Sequence, residues 1–176
     1  MSVDAYQVLL VEDDPGQAFV LTELLIHEPT GAFEVIHAST IEKAIRLLTD
    51  DSTDVIVLDL NLPDSTGIGT FDRVHTHRPD VPIVILSGMA DELLAIDTMK
   101  RGAQDYLMKG SADVHTIVRA LHYAIERKRA ELEVQRLQTM MCQQRRMESL
   151  GLLASGIAHE INTPSQFVSA NLEFMA

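Results

Sequence analysis

The sequence predicts an α/β protein with a doubly wound, five-stranded parallel sheet and a long helix in its C-terminal part. Two observations predict the sheet: apolar runs of strand length recur over residues 7–108, and segments with helical spacing separate them. The clearest run is DVIVLDLNLPD at 54–64, where four apolar residues precede Asp59 and a turn that contains proline. A run without polar alternation is typical of a strand buried on both faces. Asp59 either simply ends this strand or serves chemistry, which open α/β sheets place at the carboxyl ends of their strands.

Five strands and four connecting helices are predicted in alternation. The strands are expected at residues 7–11, 33–38, 55–58, 83–86 and 105–108. The helices are expected at about 16–27, at 40–48, between 67 and about 77, and at 91–101. An exposed i,i+4 pair, Glu42 with Arg46, supports the second helix, and Gly102 suits the C-cap of the fourth. Strands that alternate with helices in this way form a parallel sheet.

The charge of the chain is unevenly distributed. Residues 1–113 carry 20 acidic and 7 basic residues, a balance of −13, whereas residues 114–176 carry 6 and 7, a balance of +1. An acidic body of this kind disfavours nucleic acid or an anionic membrane as a partner and favours a cleft that binds a divalent cation. A single cysteine, Cys142, excludes an internal disulfide, and no signal peptide or membrane span is visible in the sequence. We therefore expect a cytoplasmic protein.

Polar side chains stand where four of the predicted strands end. Three carboxylates, Glu12, Asp13 and Asp14, follow the first strand, and Asp59, Ser87 and Lys109 follow the third, fourth and fifth. Carboxylates so close together repel one another unless a cation or a lysine shares the site. The alternative for the first three is that they cap the helix that follows. Because the carboxyl ends of parallel strands share one edge, five side chains are expected to converge there: Glu12, Asp13, Asp59, Ser87 and Lys109.

These motifs resemble a receiver domain of a two-component response regulator over residues 5 to about 125. The resemblance is carried by VEDD at 11–14, DLNLPD at 59–64 with Gly67, LSG at 86–88 and YLMKG at 106–110. It implies the strand order 2-1-3-4-5, with a site at the switch point between strands 1 and 3. It also implies that a histidine kinase or a phosphotransfer protein supplies the phosphoryl group.

The residue types suit phosphoryl transfer to a carboxylate, with Asp59 as the nucleophile. Asp13 and Asp59 are expected to hold Mg²⁺, with Glu12 acting mostly through water. The resemblance adds the backbone carbonyl of Asn61 as a further ligand. Lys109 neutralises charge on the transferring group, and Ser87 donates a hydrogen bond to a phosphoryl oxygen, while Gly88 leaves room for it.

The same residues predict a switch. Ser87 is expected to move toward a phosphoryl group on Asp59, and the resemblance implies that Tyr106 then turns inward to fill the vacated space. The alternative for Tyr106 is an ordinary half-buried strand aromatic. Many receivers carry proline after the lysine, whereas this chain has Gly110, so a cis Lys-Pro bond is impossible here.

A helix that begins near residue 112 is expected to extend from the receiver into a coiled coil. Residues 126–146 are too polar for a globular core, and their sparse apolar residues recur at helical spacing. A lone helix of this length is unstable in water, so we expect a parallel homodimer.

The string MESLGLLASGIAHEINTPSQ at 147–166 resembles the phosphoacceptor segment of a sensor histidine kinase dimerisation domain. The resemblance implies His159 as a phosphoacceptor, Glu160 as its acid/base neighbour and Thr163 as the residue that orients water. Pro164 is expected to kink or loosen the helix. The alternative is that His159 is a surface histidine on a coiled coil.

We therefore expect three segments: a receiver domain at 1–125, a coiled-coil linker helix at 126–146 and the truncated first helix of a kinase dimerisation domain at 147–176. The expected function is a phosphorylation-switched module of a phosphorelay that regulates an attached histidine kinase. No ATP-binding domain is present in these 176 residues. The alternative is a stand-alone regulatory dimerisation or binding module. A transcription factor is disfavoured because no helix-turn-helix motif or basic patch follows the receiver.

Overall fold

The computed structural model describes residues 5–28, 33–49, 52–88 and 92–173, with the side chains of Glu92 and of residues 148–173 outside the description. The chain divides into two compact units, Met1–Ala130 and Glu131–Ala176.

The first unit is built on a five-stranded, all-parallel sheet. Its strands are β1 (Tyr6–Val11), β2 (Phe33–Ala38), β3 (Val55–Leu58), β6 (Ile83–Ser87) and β7 (Asp105–Met108). They lie in the order β2-β1-β3-β6-β7, which is the predicted order when the strands of this sheet are counted along the chain. The predicted fold class is therefore confirmed.

Helices cover both faces of the sheet. They are α1 (Pro15–Ile26), α2 (Ile41–Leu47), α3 (Ile68–His77), α4 (Glu92–Lys100) and α5 (Val114–Glu173). Alternate residues of each central strand point to opposite faces. Val55 and Val57 of β3 join the core cluster under α1 and α5, whereas Ile56 and Leu58 join the cluster under α2 and α3. Burial on both faces is why this strand reads as an unbroken apolar run.

The structure adds one element that the sequence did not predict. The turn at Pro63 and Asp64 closes a small antiparallel hairpin of β4 (Asn61–Leu62) and β5 (Ser65–Thr66). Strands of two residues have no periodicity to detect. The fourth strand of the sheet also extends one residue further than predicted, so Ser87 is its last residue.

The last helix continues well past the sheet. Its buried face ends at Ile125, which is 2% exposed, and side chains 132–147 are exposed. The helix runs past Gly151 and Pro164 to Glu173. The side chains of His159, Glu160 and Thr163 lie outside the described part of the chain. Their predicted roles stay predictions. Among the described residues, none of the helices has the length and hydropathy needed to cross a membrane.

Candidate functional site

The acidic residues after β1 divide between two tasks. The Oδ1 of Asp14 accepts hydrogen bonds from the backbone N–H groups of Gly16 at 2.8 Å and Gln17 at 2.9 Å, so Asp14 caps α1. Glu12 is 3% exposed, and Asp13 is exposed. One carboxylate oxygen from each of Glu12, Asp13 and Asp59 lies within 4.8 Å of the others. Capping and clustering, the two alternatives for these acids, are thus both realised, by different residues.

Asp59 follows β3 and is 6% exposed. Its backbone N–H donates to the carbonyl of Val11 at 2.9 Å, which ties the end of β3 to the end of β1. Its Oδ1 accepts from the N–H of Asn61 at 3.0 Å, and its Oδ2 accepts from the Nζ of Lys109 at 2.5 Å. Both carboxylate oxygens are therefore held in place, and the buried carboxylate faces the cluster.

Lys109 follows β7 and joins the two buried carboxylates. Its Nζ lies 2.5 Å from Oε2 of Glu12 and 2.5 Å from Oδ2 of Asp59. Its backbone N–H donates to the carbonyl of Ser87 at 2.9 Å, so β6 fixes where the lysine leaves the sheet. Gly110 has φ +79°, a conformation that favours glycine, and no peptide bond between described residues is cis.

The electrostatics of the cluster are those of a site with too few cations. Burial raises the pKa of Glu12, Lys109 opposes this shift and Asp59 adds to it. Burial alone would lower the pKa of Lys109, but hydrogen bonds and charge from Asp59 and Glu12 outweigh it, so the pKa of Lys109 is raised. One ammonium faces three carboxylates, which leaves an excess of two negative charges. Hard carboxylate oxygens at this spacing fit Mg²⁺.

The remaining predicted residues lie at the same edge of the sheet. Ser87, the last residue of β6, is fully buried and pairs in register with Met108 of β7. A Cβ added at Gly88 would meet no atom of the described residues within 4 Å. Tyr106 is half-buried in β7 and packs against the core cluster under α2 and α3. The roles of these residues stay predictions.

A groove of about 410 Å³ adjoins the acidic cluster, between α1 and the start of α5. Glu12 and Lys109 line it together with apolar side chains, which include Leu24 of α1 and Ile117 of α5.

Residues 8–122 match the family described as the response regulator receiver domain. The chain belongs to this family. The transcriptional regulatory protein CpxR of Escherichia coli strain K12 is 37% identical over 114 residues, which cover 64% of this receiver chain and 47% of CpxR. The cell cycle transcriptional regulator CtrA of Caulobacter vibrioides is 34% identical over 119 residues, which cover 64% of this chain and 50% of CtrA. The chain thus spans about half the length of these curated relatives.

Solved structures agree with the family. A response regulator receiver domain protein from Clostridium thermocellum superposes with a TM-score of 0.64 at 28% identity, covering 71% of this chain and 98% of that one. A sensor protein from Polaromonas sp. JS666 superposes with a TM-score of 0.61 at 25% identity, covering 70% and 98%. Receiver domains are the phospho-accepting modules of two-component systems. They generally bind Mg²⁺ in an acidic pocket and take phosphoryl groups from histidine kinases or phosphotransfer proteins, and this receiver has the acidic cluster.

Two contacts near this receiver site were not predicted from the sequence. The Nε2 of His37 lies 2.7 Å from the carbonyl oxygen of Glu12, and the carboxylate of Asp64 accepts from the first two N–H groups of α2. His37 is one of seven histidines, and its position in β2 gave no separate signal. In the sequence, Asp64 is part of the turn at Leu62-Pro63-Asp64, and no pattern there indicates a bond to α2.

Proposed function

We propose that Asp59 is the phosphoacceptor of this receiver and that its phosphorylation regulates a histidine kinase core attached through α5. The observation that carries the first part is the position of Asp59. Its carboxylate is buried, oriented by the Asn61 N–H and paired with Lys109, and two further carboxylates lie within 4.8 Å. A nucleophile for phosphoryl transfer needs this combination of fixed orientation and nearby positive charge.

The chemistry is one displacement at phosphorus. A carboxylate oxygen of Asp59 forms the new bond to phosphorus, and the bond from phosphorus to the donor breaks, with its electron pair leaving on the donor. Asp13, Asp59 and the Asn61 carbonyl would hold Mg²⁺, with Glu12 acting through water. When bound there, Mg²⁺ supplies neutralisation of the charge on the transferring group. Lys109 adds a positive charge beside the acceptor, 2.5 Å from Oδ2 of Asp59.

The switch uses residues at the ends of β6 and within β7. The hydroxyl of Ser87 moves to donate to a phosphoryl oxygen. Tyr106 then turns inward to fill the vacated space. Such a change shifts the populations of two states of the folded domain and does not unfold it.

The test is incubation with Mg²⁺ and acetyl phosphate, followed by intact mass. Wild type is expected to gain one phosphoryl group, and Asp59→Asn is expected to gain none. Asp14→Asn is the matched control, because Asp14 is a neighbouring aspartate that only caps α1, and it is expected to be phosphorylated like wild type. His159→Gln is also expected to retain the phosphate. A phosphorylated Asp59→Asn protein contradicts the proposal.

The second unit is the dimerisation element in this proposal. Several of its described apolar side chains are exposed, among them Val134 (52%), Leu137 (49%) and Met140 (55%), and a partner helix would cover them. We propose a parallel coiled coil between two copies. Leu137→Cys in a Cys142→Ser background is expected to form an intermolecular disulfide. Native Cys142 is the matched control, because it lies about 140° around the helix from Leu137 and is expected to cross-link poorly.

The finer domain assignment also belongs to the proposal: a receiver at 1–125, a linker helix at 126–146 and a phosphoacceptor helix at 147–176. His159 would carry the phosphoryl group there, with Glu160 as its acid/base neighbour and Thr163 positioned to orient water. In a full-length protein that carries an ATP-binding domain, labelling by ATP is expected in wild type and is expected to disappear in His159→Gln.

A stand-alone regulatory dimer is the second candidate. The curated relatives named above are transcriptional regulators, and the match covers about half of each, so they give no support to an attached kinase. An ATP-binding domain downstream of residue 176 in the gene would end this alternative.

A further inference from the structure

We propose that His37 and Asp64 are positioning residues that brace the metal-binding loops against the connection between β2 and α2. The inference rests on the proposed Mg²⁺ site. It goes beyond that site because neither residue is a ligand: each would act by holding a loop that carries one.

His37 holds the loop after β1. The paired register of β1 and β2 ends at Val11 and Ala38, so the Glu12 carbonyl lies past the last rung of the ladder. A carbonyl oxygen can only accept, so the Nε2 of His37 carries the hydrogen and donates it across 2.7 Å. The N–H of Glu12 donates in turn to the Ala38 carbonyl at 3.0 Å. Both backbone polar groups of Glu12, the N–H and the carbonyl, are thus bonded to residues of β2.

Asp64 holds the hairpin that begins with Asn61. Its Oδ1 accepts from the N–H of Ile41 and its Oδ2 from the N–H of Glu42, both at 3.1 Å. These two backbone groups start α2, where N–H groups have no partner within the helix and favour an anion. They also hold the pKa of Asp64 below its ordinary value, although burial opposes this shift. The carboxylate therefore stays ionised and keeps both bonds at neutral pH.

The other end of the hairpin is anchored separately. The N–H of Gly67 donates to the Leu60 carbonyl at 2.8 Å, and the hydroxyl of Thr70 donates to the same carbonyl at 3.1 Å. With its tip bound to α2 through Asp64 and its base bound to Leu60, the hairpin has little freedom to move Asn61. The N–H of Asn61 in turn orients the Asp59 carboxylate. Residues 37–42 therefore contact both loops that carry proposed ligands.

The experiment is calorimetric titration of Mg²⁺ into wild type, His37→Leu and Asp64→Ala, with folding checked by circular dichroism and thermal unfolding. Each variant is expected to bind Mg²⁺ about tenfold more weakly, the loss typical of groups that orient metal ligands. His37→Gln keeps a donor and is expected to retain most of the affinity. Glu42→Ala is the matched control, because it removes the exposed Glu42–Arg46 pair and leaves the N–H that Asp64 binds. It is expected to bind like wild type.

A second readout separates positioning from chemistry. At saturating Mg²⁺, phosphorylation of His37→Leu by acetyl phosphate is expected to return to the wild-type rate. If folded His37→Leu and Asp64→Ala bind Mg²⁺ with wild-type affinity, the proposed positioning role of His37 and Asp64 is wrong, and the proposed function is unaffected. If the wild-type protein does not bind Mg²⁺, the proposed metal site is wrong, and the proposed positioning role of His37 and Asp64 is wrong as well. If Asp64→Ala does not fold, Asp64→Asn takes its place. Asparagine keeps one of the two acceptor oxygens, and this variant is still expected to bind Mg²⁺ more weakly than wild type. An unchanged Mg²⁺ affinity in Asp64→Asn would contradict the positioning role of Asp64.

Discussion

Arg129 of α5 is bonded to Asp54, which lies immediately before β3, with 2.9 Å between Nη2 and Oδ1. The guanidinium also lies over the ring of Tyr6, 5.3 Å from its centroid. The other oxygen of Asp54 accepts from the backbone N–H of Gln7 at 2.9 Å. The helix is thereby attached to the amino ends of β1 and β3, whereas the proposed phosphoacceptor lies at the carboxyl end of β3. Because side chains 132–147 are exposed, this contact lies where α5 leaves the core of the first unit.

The Arg129–Asp54 pair is expected to contribute modestly to stability. Its side chains are 54% and 26% exposed, so solvent screens the charges. A double-mutant cycle with Arg129→Ala and Asp54→Asn is expected to give a coupling free energy of about 0.5–1 kcal/mol in urea unfolding. Arg119→Ala, which changes an exposed arginine on the same helix, is the control and should show no coupling to Asp54→Asn. A coupling free energy of zero between Arg129 and Asp54 would show that this pair does not stabilise the attachment of α5 to the sheet.

Asp59→Asn is expected to stabilise the protein when no divalent cation is bound. Three carboxylates share one lysine in the cluster, and the substitution removes one buried negative charge while keeping an acceptor oxygen. In urea unfolding with a chelator, we expect a gain of about 1 kcal/mol. Added Mg²⁺ should reduce the difference in unfolding free energy between Asp59→Asn and wild type, because Mg²⁺ stabilises wild type by binding to it. Asp14→Asn should leave stability nearly unchanged, since asparagine caps a helix as well as aspartate does. A less stable Asp59→Asn protein in chelator would contradict this explanation.

The ion pair between Arg78 and Asp80 makes a contribution to stability that depends on pH. Arg78 donates to both carboxylate oxygens of Asp80, from Nε at 3.0 Å and from Nη2 at 2.8 Å, and its Nη1 reaches the Leu48 carbonyl. These hydrogen bonds lower the pKa of Asp80 from its ordinary value of 3.8. A carboxylate with a lowered folded pKa contributes stability above its unfolded pKa and loses it as the pH falls through the folded value.

Asp80→Asn is therefore expected to be about 0.5–1 kcal/mol less stable than wild type near neutral pH, the range for a half-exposed pair with good geometry. The gap should begin to close as the pH falls below about 4 and should vanish once wild type is protonated. Urea unfolding at a series of pH values measures it. A gap that stays constant down to the acid limit would show that the effect is not ionic.

The parts of the fold that the sequence predicted are those set by local pattern. Val55 to Leu58 must form a strand buried on both faces, because four consecutive apolar residues bounded by polar ones leave no face for solvent. Topology then places Asp59 and Lys109 at one edge, since parallel strands present their carboxyl ends together. Their separation along the chain is large, but the distance between them follows from the sheet.

The contacts that the sequence did not predict depend on loops and on the ends of elements. The hydrogen bond from His37 to Glu12 needs the exact length of β1 and β2, and the bond from Asp64 to α2 needs the hairpin tip to reach a helix end. The Arg129–Asp54 pair joins residues 75 positions apart. No periodicity marks such pairs, because each depends on where a single side chain ends after the whole sheet has assembled.

Gly110→Ala and Gly69→Ala form a matched pair that isolates backbone strain next to Lys109. An added Cβ at either glycine would meet no atom of the described residues within 4 Å, so neither change creates a clash with them. Gly110 has φ +79°, and alanine there is expected to cost about 1–2 kcal/mol in urea unfolding. Gly69 lies in the first turn of α3, where alanine is expected to gain about 0.4–1 kcal/mol. Because relief of the strain would move Lys109 away from Glu12 and Asp59, Gly110→Ala is also expected to slow phosphorylation by acetyl phosphate, whereas Gly69→Ala is not. Equal stability and equal rates in the two variants would mean that the backbone at Gly110 does not position Lys109.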